Sequence, residues 1–126
     1  MSRTNIPGES PYEATIGFSR AVRVGDRIVV SGTAPIWPDG SCPDDPYEQA
    51  KRCLDIIAGA LGDAGASPGD VIRTRTYLTD AGDWEAVGRA HGEVFADVRP
   101  ASTMVVVGAL LDPRWRVEIE AEAVVA

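Results

Sequence analysis

The sequence predicts a single α+β domain in which two helices cover one face of one β-sheet. Two stretches carry apolar residues at helical spacing, one from about Pro46 to Ala64 and one from about Asp83 to Asp97. Shorter stretches in which apolar and polar residues alternate are typical of half-buried strands. Because the elements follow the order hairpin, loop, helix, strand, helix, strand, strand, an α+β layout is expected.

The composition is that of an acidic globular protein of one domain. The 126 residues are 44% hydrophobic and 25% charged, with a formal net charge of -7. This acidic charge disfavours binding to nucleic acid or to an anionic membrane, both of which require a basic surface. Because no apolar signal segment follows Met1 and no apolar run reaches the length of a membrane span, a cytoplasmic location is expected.

The first third of the chain is predicted to hold a β-hairpin and a long loop. Residues Met1 to Tyr12 are rich in turn formers and are expected to be irregular. Two β-rich runs flank Gly25-Asp26, a two-residue turn signal for a hairpin. The hairpin ends at Ser31-Gly32, where small residues indicate either close approach of a ligand or a simple bulge. Prolines and glycine between Ala34 and Pro46 predict a loop.

The cysteines and the only histidine are predicted to be structural. Cys53 lies on the apolar stripe of the first helix, which favours a core residue over a nucleophile. Together with Cys42 it lacks metal-ligand or Cys-x-x-Cys spacing, so two free thiols are expected. His91 lies on the apolar stripe of the second helix, seven residues after Trp84. A packed, hydrogen-bonded histidine is favoured there, and no Ser/His/Asp set can be assigned.

Two of the later strands are predicted to carry opposite charges. Alternation in the strand from Val71 to Leu78 puts one group of side chains on one side (Arg73, Arg75 and Tyr77) and another on the opposite side (Ile72, Thr74, Thr76 and Leu78). The strand from Trp115 to Val125 places Glu118, Glu120 and Glu122 on one ionic face. Ion pairs between the arginines and these glutamates are favoured over substrate binding by Arg75.

The glutamate-bearing face allows two interpretations. Its carboxylates are about 7 Å apart along the strand, so their mutual repulsion in water is weak. A solvated edge face is the simpler interpretation. If a partner subunit covers the face instead, desolvation raises the pKa of at least one carboxyl and makes it a proton donor.

Five short motifs, in order, resemble those of the Rid family, also called the YjgF or L-PSP endoribonuclease-like family. They are Phe18-Ser19-Arg20-Ala21, Val30-Ser31-Gly32-Thr33, Tyr77-Leu78-Thr79-Asp80, Arg99-Pro100-Ala101-Ser102-Thr103 and Val117-Glu118-Ile119-Glu120-Ala121. The similarity covers about Tyr12 to Val125. It implies a chorismate-mutase-like fold and a homotrimer with small-molecule sites in the clefts between subunits. It further implies hydrolysis of reactive enamines and imines to a keto acid and ammonia, with no metal or organic cofactor.

The resemblance also implies roles for individual residues. Glu118 matches the glutamate that positions water and is the expected catalytic residue. The strand end that lines the cleft is matched by Ser31 and Gly32. The remaining expected substrate-binding positions depart from the family pattern or come from a different strand: Phe18 replaces a tyrosine, Gly88 occupies a position often held by asparagine, Met104 replaces a small residue, and Arg75 is a possible extra cation.

The largest departure from the family pattern is Ser102, which stands where the carboxylate-binding arginine is expected. A guanidinium paired with a carboxylate in a partly dry cleft contributes about 2 to 5 kcal/mol of binding, whereas serine supplies a neutral hydrogen bond. Either Arg20 or Arg75 compensates, or the natural ligand lacks a carboxylate. The second option is favoured, because a cation from another backbone position rarely reproduces the fork geometry.

Two functions therefore remain open at the level of sequence. The first is a Rid-like hydrolase acting on an imine, an enamine or a related carbonyl compound, in which standard 2-imino acid deamination is in doubt. The second is a non-catalytic trimer that binds a small ligand and regulates or assists a pathway. Ribonuclease activity, suggested by the older family name, ranks third because the chain is acidic and lacks a basic stripe.

Overall fold

Six strands form one sheet and two helices lie against it in the computed structural model, which describes all residues from Met1 to Ala126. The strands are β1 (Arg3–Ile6), β2 (Ala21–Val24), β3 (Arg27–Thr33), β4 (Val71–Leu78), β5 (Ala101–Val106) and β6 (Val117–Val124), and the helices are α1 (Pro46–Asp63) and α2 (Trp84–Phe95). The order across the sheet is β1-β2-β3-β6-β4-β5. Only β4 and β5 pair in parallel. The predicted α+β class with one sheet and two main helices is confirmed.

The hydrophobic core lies between the helices and one side of the sheet, here called the helix face. Alternate residues of β6 are buried there, from Val117 to Ala123, and pack with the apolar stripe of α1. The opposite side, here called the open face, carries the charged side chains of β4 and β6. None of the helices combines the length and the hydropathy that a membrane span requires.

The predicted hairpin and helices form close to their expected bounds. Strands β2 and β3 flank a turn in which Gly25 has a φ of 58°, a conformation that favours glycine. Helix α1 begins at Pro46, and the preceding Asp45 side chain accepts a hydrogen bond from the Tyr47 backbone N–H. The register of β3 on β6 shifts between Val30 and Thr33, so a bulge forms where the sequence allowed one.

Three expectations from the sequence are wrong. Residues Arg3–Ile6 are not irregular but pair with β2 as an edge strand, because Ile6 is buried in the core. Ile72 does not join Thr74, Thr76 and Leu78 on the helix face, because the register of β4 on β6 shifts between Val71 and Arg73. Its side chain is 47% exposed. Trp84 does not belong to the buried stripe of α2, because it lies at the first turn of the helix and is 59% exposed.

Candidate functional site

Glu118 lies on the open face of β6, beside the bulge in β3. Two bulge residues, Ser31 and Gly32, oppose one residue of β6. A Cβ added at Gly32 would lie 2.5 Å from Oε2 of Glu118, closer than real side-chain contacts. A side chain at position 32 would therefore displace the carboxylate of Glu118, which lies directly against Gly32. The close approach that the sequence allowed at this strand end is made by the chain's own glutamate.

The other two glutamates of the open face are held by partners. Arg75 donates from Nη1 to Oε1 of Glu120 at 3.3 Å and to Oε1 of Glu122 at 3.4 Å. The Tyr77 hydroxyl donates to Glu120 at 2.7 Å, and Nη2 of Arg27 lies 2.6 Å from Oε2 of Glu122. The expected pairing with strand glutamates thus forms for Arg75 through its Nη1, whereas Arg73 makes no ion pair with them.

Glu118, by contrast, has no partner among the ion pairs and side-chain hydrogen bonds of the chain. Burial raises the pKa of its carboxyl above the ordinary value; the Arg20 guanidinium opposes this shift, and Glu120 adds to it. A half-buried, unpaired carboxyl with a raised pKa can hold a proton nearer to neutral pH than an ordinary glutamate does and transfer it to a bound molecule.

Arg20 holds the backbone of the bulge. Its Nη2 donates to the carbonyl oxygens of Ser31 and Gly32, both at 2.7 Å, and its Nε is buried without a partner. The hydroxyl of Ser31 donates to the Ser19 carbonyl at 2.6 Å, so its proton is used within the chain. Because Nη2 takes part in both fork geometries of a guanidinium, Arg20 is not free to bind a carboxylate in the bidentate mode.

Ser102 lies on the other side of the sheet, at its far edge. Strand β5 pairs only with β4, and Ser102 stands opposite Thr74. Oγ1 of Thr74 lies 2.9 Å from Oγ of Ser102 and 2.8 Å from Nε2 of His91. The imidazole packs on the Phe95 ring with 4.7 Å between centroids. His91 is therefore the packed, hydrogen-bonded residue that the sequence predicts.

An apolar hollow begins at Met104, two residues after Ser102 on β5. Its volume is about 300 Å³, and its walls are Leu78, Ala81, Trp84, Met104, Val105 and Val106. Met104 comes two residues after Ser102 and therefore points to the same side of the strand. Gly88 lies one turn after Trp84 on α2, and a Cβ added there would meet nothing within 4 Å.

The structure thus divides the predicted site residues into two groups on opposite faces of the sheet. The group at the bulge contains Glu118, Gly32 and Ser31, with Phe18 close to it through Ser19. The group at the β5 edge contains Ser102 and Met104, and Gly88 lies on α2, on the helix side of the sheet. One chain does not bring Glu118 and Ser102 together, because β4 lies between their strands and their side chains point in opposite directions.

Sequence reasoning missed the Arg20 clamp and the link from His91 through Thr74 to Ser102. Both depend on which strands become neighbours, and the parallel pairing of β4 with β5 has no local sequence signal. The alternation of side chains along β4 places Thr74 on the helix side, and this is the one local signal that points to a contact between Thr74 and His91. No group of three or more His, Cys, Asp or Glu side chains is arranged to hold a metal ion.

Comparison with known proteins decides the family. The model of the family described as Endoribonuclease L-PSP matches residues 8–125, nearly the whole chain. The chain belongs to the Rid/YjgF family. A crystal structure of a Mycobacterium tuberculosis member of the YjgF/YER057c/UK114 family is 44% identical, with a TM-score of 0.90, and the match covers 98% of this chain and 100% of that one.

Two further Rid/YjgF comparisons bear on chemistry. The Escherichia coli protein named 2-iminobutanoate/2-iminopropanoate deaminase is 33% identical over 129 residues, which covers 98% of each chain. The crystal structure of Escherichia coli TdcF, which contains bound serine, is 26% identical with a TM-score of 0.82 and covers 97% of this chain and 94% of its own. Proteins similar to this Rid/YjgF chain thus include a named deaminase and one that binds a small molecule.

Proposed function

We propose that the protein is a Rid-type hydrolase that acts on an imine, an enamine or a related small carbonyl compound. The observation that carries this proposal is the carboxyl of Glu118, which is half-buried, unpaired and set against the glycine of a bulge. Its two neighbours on the strand are held by Arg75, Tyr77 and Arg27. One carboxyl of the three is therefore available for proton transfer.

The chemistry needs one group that both takes and gives a proton. Hydrolysis of an imine adds water to the carbon of the C=N bond, protonates the nitrogen and releases ammonia, leaving a C=O bond. Glu118 as a carboxylate orients the water and accepts its proton, and as a carboxylic acid it protonates the departing nitrogen. A raised pKa suits this double role, because both forms are then accessible closer to neutral pH.

We place the reaction in clefts between copies of the chain. The bulge group and the β5-edge group lie on opposite faces of one sheet, so a second copy is needed to bring a Glu118 beside a Ser102. Exposed apolar side chains on both regions support such contact, with Val29 45% and Val106 54% exposed. A homotrimer with a cleft between each pair of neighbours is the assembly that the family resemblance favours.

A direct test measures ammonia release from two imines generated in situ. One is 2-iminopropionate, formed from alanine by an amino-acid oxidase, and the other is the imine formed from isobutylamine by a flavin amine oxidase. We expect the wild type to accelerate at least the second, and Glu118→Gln to lower the rate about 100-fold.

Glu122→Gln is the matched control, because Glu122 is on the same strand face but is held by arginines. It should keep most of the activity. If the wild type and Glu118→Gln both give only the background rate with either imine, the hydrolase proposal is wrong.

The second candidate is a non-catalytic trimer that binds a small ligand. It is favoured by Ser102 in the arginine position and by the internal use of Arg20, whose Nη2 binds two backbone carbonyls, because a substrate carboxylate then lacks the guanidinium that the family pattern supplies. Thermal stabilisation by a metabolite that the protein does not turn over would support this candidate. An absence of stabilisation across a broad metabolite panel would count against it.

A further inference from the structure

Three hydrogen-bonded polar side chains, here called the polar row, end at the exposed edge of the sheet, away from Glu118. They are Ser102, Thr74 and His91. The Ser102 hydroxyl reaches solvent, Thr74 behind it is fully buried, and His91 closes the row from α2. An exposed hydroxyl is thus supported by two partners that are themselves held in place by packing. Such support fixes the direction of a hydrogen bond more firmly than an isolated surface serine does.

Ser102, at the end of the row, can either donate or accept a hydrogen bond while the row stays uncharged. Burial lowers the pKa of His91, which favours the uncharged imidazole. With a proton on Nε2, His91 donates to Thr74, Thr74 donates to Ser102, and the Ser102 proton is left for an acceptor. With Nε2 unprotonated the row reverses, and Ser102 accepts from a donor. A ligand carbonyl, hydroxyl or amide can therefore bind to the same serine.

The apolar hollow defined above begins two residues along β5 from the Ser102 end of this row. Met104 and Val106 follow Ser102 at alternate positions of β5, and Trp84 forms a wall from the first turn of α2. All six lining residues are apolar, so the hollow offers no partner for a carboxylate or an ammonium group. It suits a short hydrocarbon arm.

One buried hydroxyl near the hollow has no partner. Thr76 lies between Thr74 and Leu78 on the helix face and is 1% exposed, and its Oγ1 makes no hydrogen bond. Across the strands it stands beside Met104. Buried hydroxyls without a partner are uncommon, and a polar atom admitted beneath the flexible Met104 side chain would satisfy this one.

We propose that Ser102 and the apolar hollow bind an uncharged small molecule with one amide, carbonyl or hydroxyl group and a short apolar arm. The polar group binds Ser102, and the arm lies against Trp84 and Met104. His91 is a positioning residue that acts through Thr74. This proposal rests on the proposed function in that it names the ligand class of that cleft, but the contacts come from residues of one chain and do not include Glu118.

The test compares two probes of nearly equal shape, 3-methylbutanamide and 3-methylbutanoate. Binding is followed by two-dimensional NMR from the Trp84 indole N–H and the Met104 methyl, which are assigned with Trp84→Phe and Met104→Leu. We expect the amide to shift both signals and to bind about tenfold more tightly than the carboxylate, because an unpaired buried charge is costly.

Four variants test the contribution of the polar row. Ser102→Ala should weaken amide binding about three- to tenfold, the range of one neutral hydrogen bond. Thr103→Ala, next to it on the same strand but on the open face, should change nothing. His91→Phe should weaken binding without touching the ligand, and His91→Gln should restore part of it. Amide binding should also shift the 15N resonance of His91 Nε2, which a purely structural histidine would not show.

Three results would overturn the inference: the carboxylate binds as tightly as the amide, Ser102→Ala binds the amide like the wild type, or neither probe shifts the Trp84 signal. Glu118→Gln separates this outcome from that of the proposed function. Amide binding should survive in that variant while imine hydrolysis is lost. Hydrolysis by a wild type that does not bind the amide refutes only the inference, and amide binding without any hydrolysis refutes only the proposed function.

Discussion

Three glutamates at alternate positions of β6 have the same chemistry and different surroundings. Glu120 and Glu122 receive hydrogen bonds from Arg75, whereas Glu118 faces the bulge without a partner. Whether each ionised glutamate stabilises or destabilises the folded state follows from this difference in partners. An ionised carboxyl that loses water without gaining a partner destabilises the folded state, while a paired one does not.

Glu118→Gln should therefore stabilise the protein at neutral pH. Because the folded-state pKa of Glu118 is raised, its favourable contribution is complete below the ordinary value of 4.5 and is lost as the pH rises through the folded pKa. Replacement by glutamine should raise the melting temperature at pH 7, and the difference should vanish under acidic conditions.

The matched control for this prediction is Glu120→Gln, which weakens a partly exposed pair with Arg75. It should lower the free energy of unfolding at pH 7 by less than about 1 kcal/mol. Thermal unfolding followed by circular dichroism at several pH values measures both effects. A lower melting temperature for Glu118→Gln at pH 7 would contradict the interpretation of Glu118 as an unpaired, desolvated carboxyl.

At the scale of elements, the bulge of β3 is the feature that positions the candidate catalytic group. Two clamps hold it: Arg20 binds the carbonyls of Ser31 and Gly32, and the Ser31 hydroxyl binds the Ser19 carbonyl. The carboxylate of Glu118 occupies the space that a side chain at Gly32 would fill. Strand geometry and the position of the carboxylate are thus directly coupled.

Gly32→Ala should reduce activity far more than stability. The added Cβ would lie 2.5 Å from Oε2 of Glu118, so the carboxylate must move. Because Gly32 does not have a positive φ, alanine causes no backbone strain there. We expect kcat/KM for imine hydrolysis to fall about 100-fold, as for other small misplacements of a catalytic group.

Gly59→Ala on α1 is the control for this substitution, because nothing lies within 4 Å of its added Cβ. It should leave kcat/KM unchanged and stabilise the helix by about 0.5 to 1 kcal/mol. Wild-type kcat/KM in Gly32→Ala would show that the contact between Glu118 and the bulge does not position the reacting group.

At the scale of the whole molecule, the two groups of candidate site residues lie on opposite faces of the sheet. The open face also exposes apolar side chains among its ion pairs, including Val29 beside Glu122. A surface of this kind is stable in water when another subunit covers it. The assembly and the catalytic site are therefore two aspects of one proposal.

We expect the protein in solution to have about three times the 13.4 kDa mass of one chain. Light scattering coupled to size-exclusion chromatography measures this mass. Val29→Lys should shift the measured mass toward that of one chain, because the ammonium group would be buried at the contact between subunits. In the free chain the new lysine is accommodated, because Glu122 lies beside it on the neighbouring strand. Val94→Lys, at an exposed position of α2, should leave the mass unchanged. A wild-type mass of one chain would refute the trimer.

Much of this fold follows from local patterns along the chain. The turn at Gly25, the amphipathic stripe of α1 and the alternation of β6 each depend on residues a few positions apart, so periodicity predicts them. Register shifts and edge strands depend on a partner strand far away in sequence. This is why β1 and the displacement of Ile72 were not predicted.

The sequence by itself determined the class of the fold and indicated the family, and it singled out Glu118 and Ser102 as candidate site residues. Only the tertiary structure decided that Glu118 is the unpaired carboxyl, that Arg20 clamps the bulge while Arg75 pairs with Glu120 and Glu122, and that Ser102 joins His91 through Thr74. The physical reason is that periodicity specifies which face a side chain takes. Its partners are set by strand order and register, which arise from contacts between distant parts of the chain.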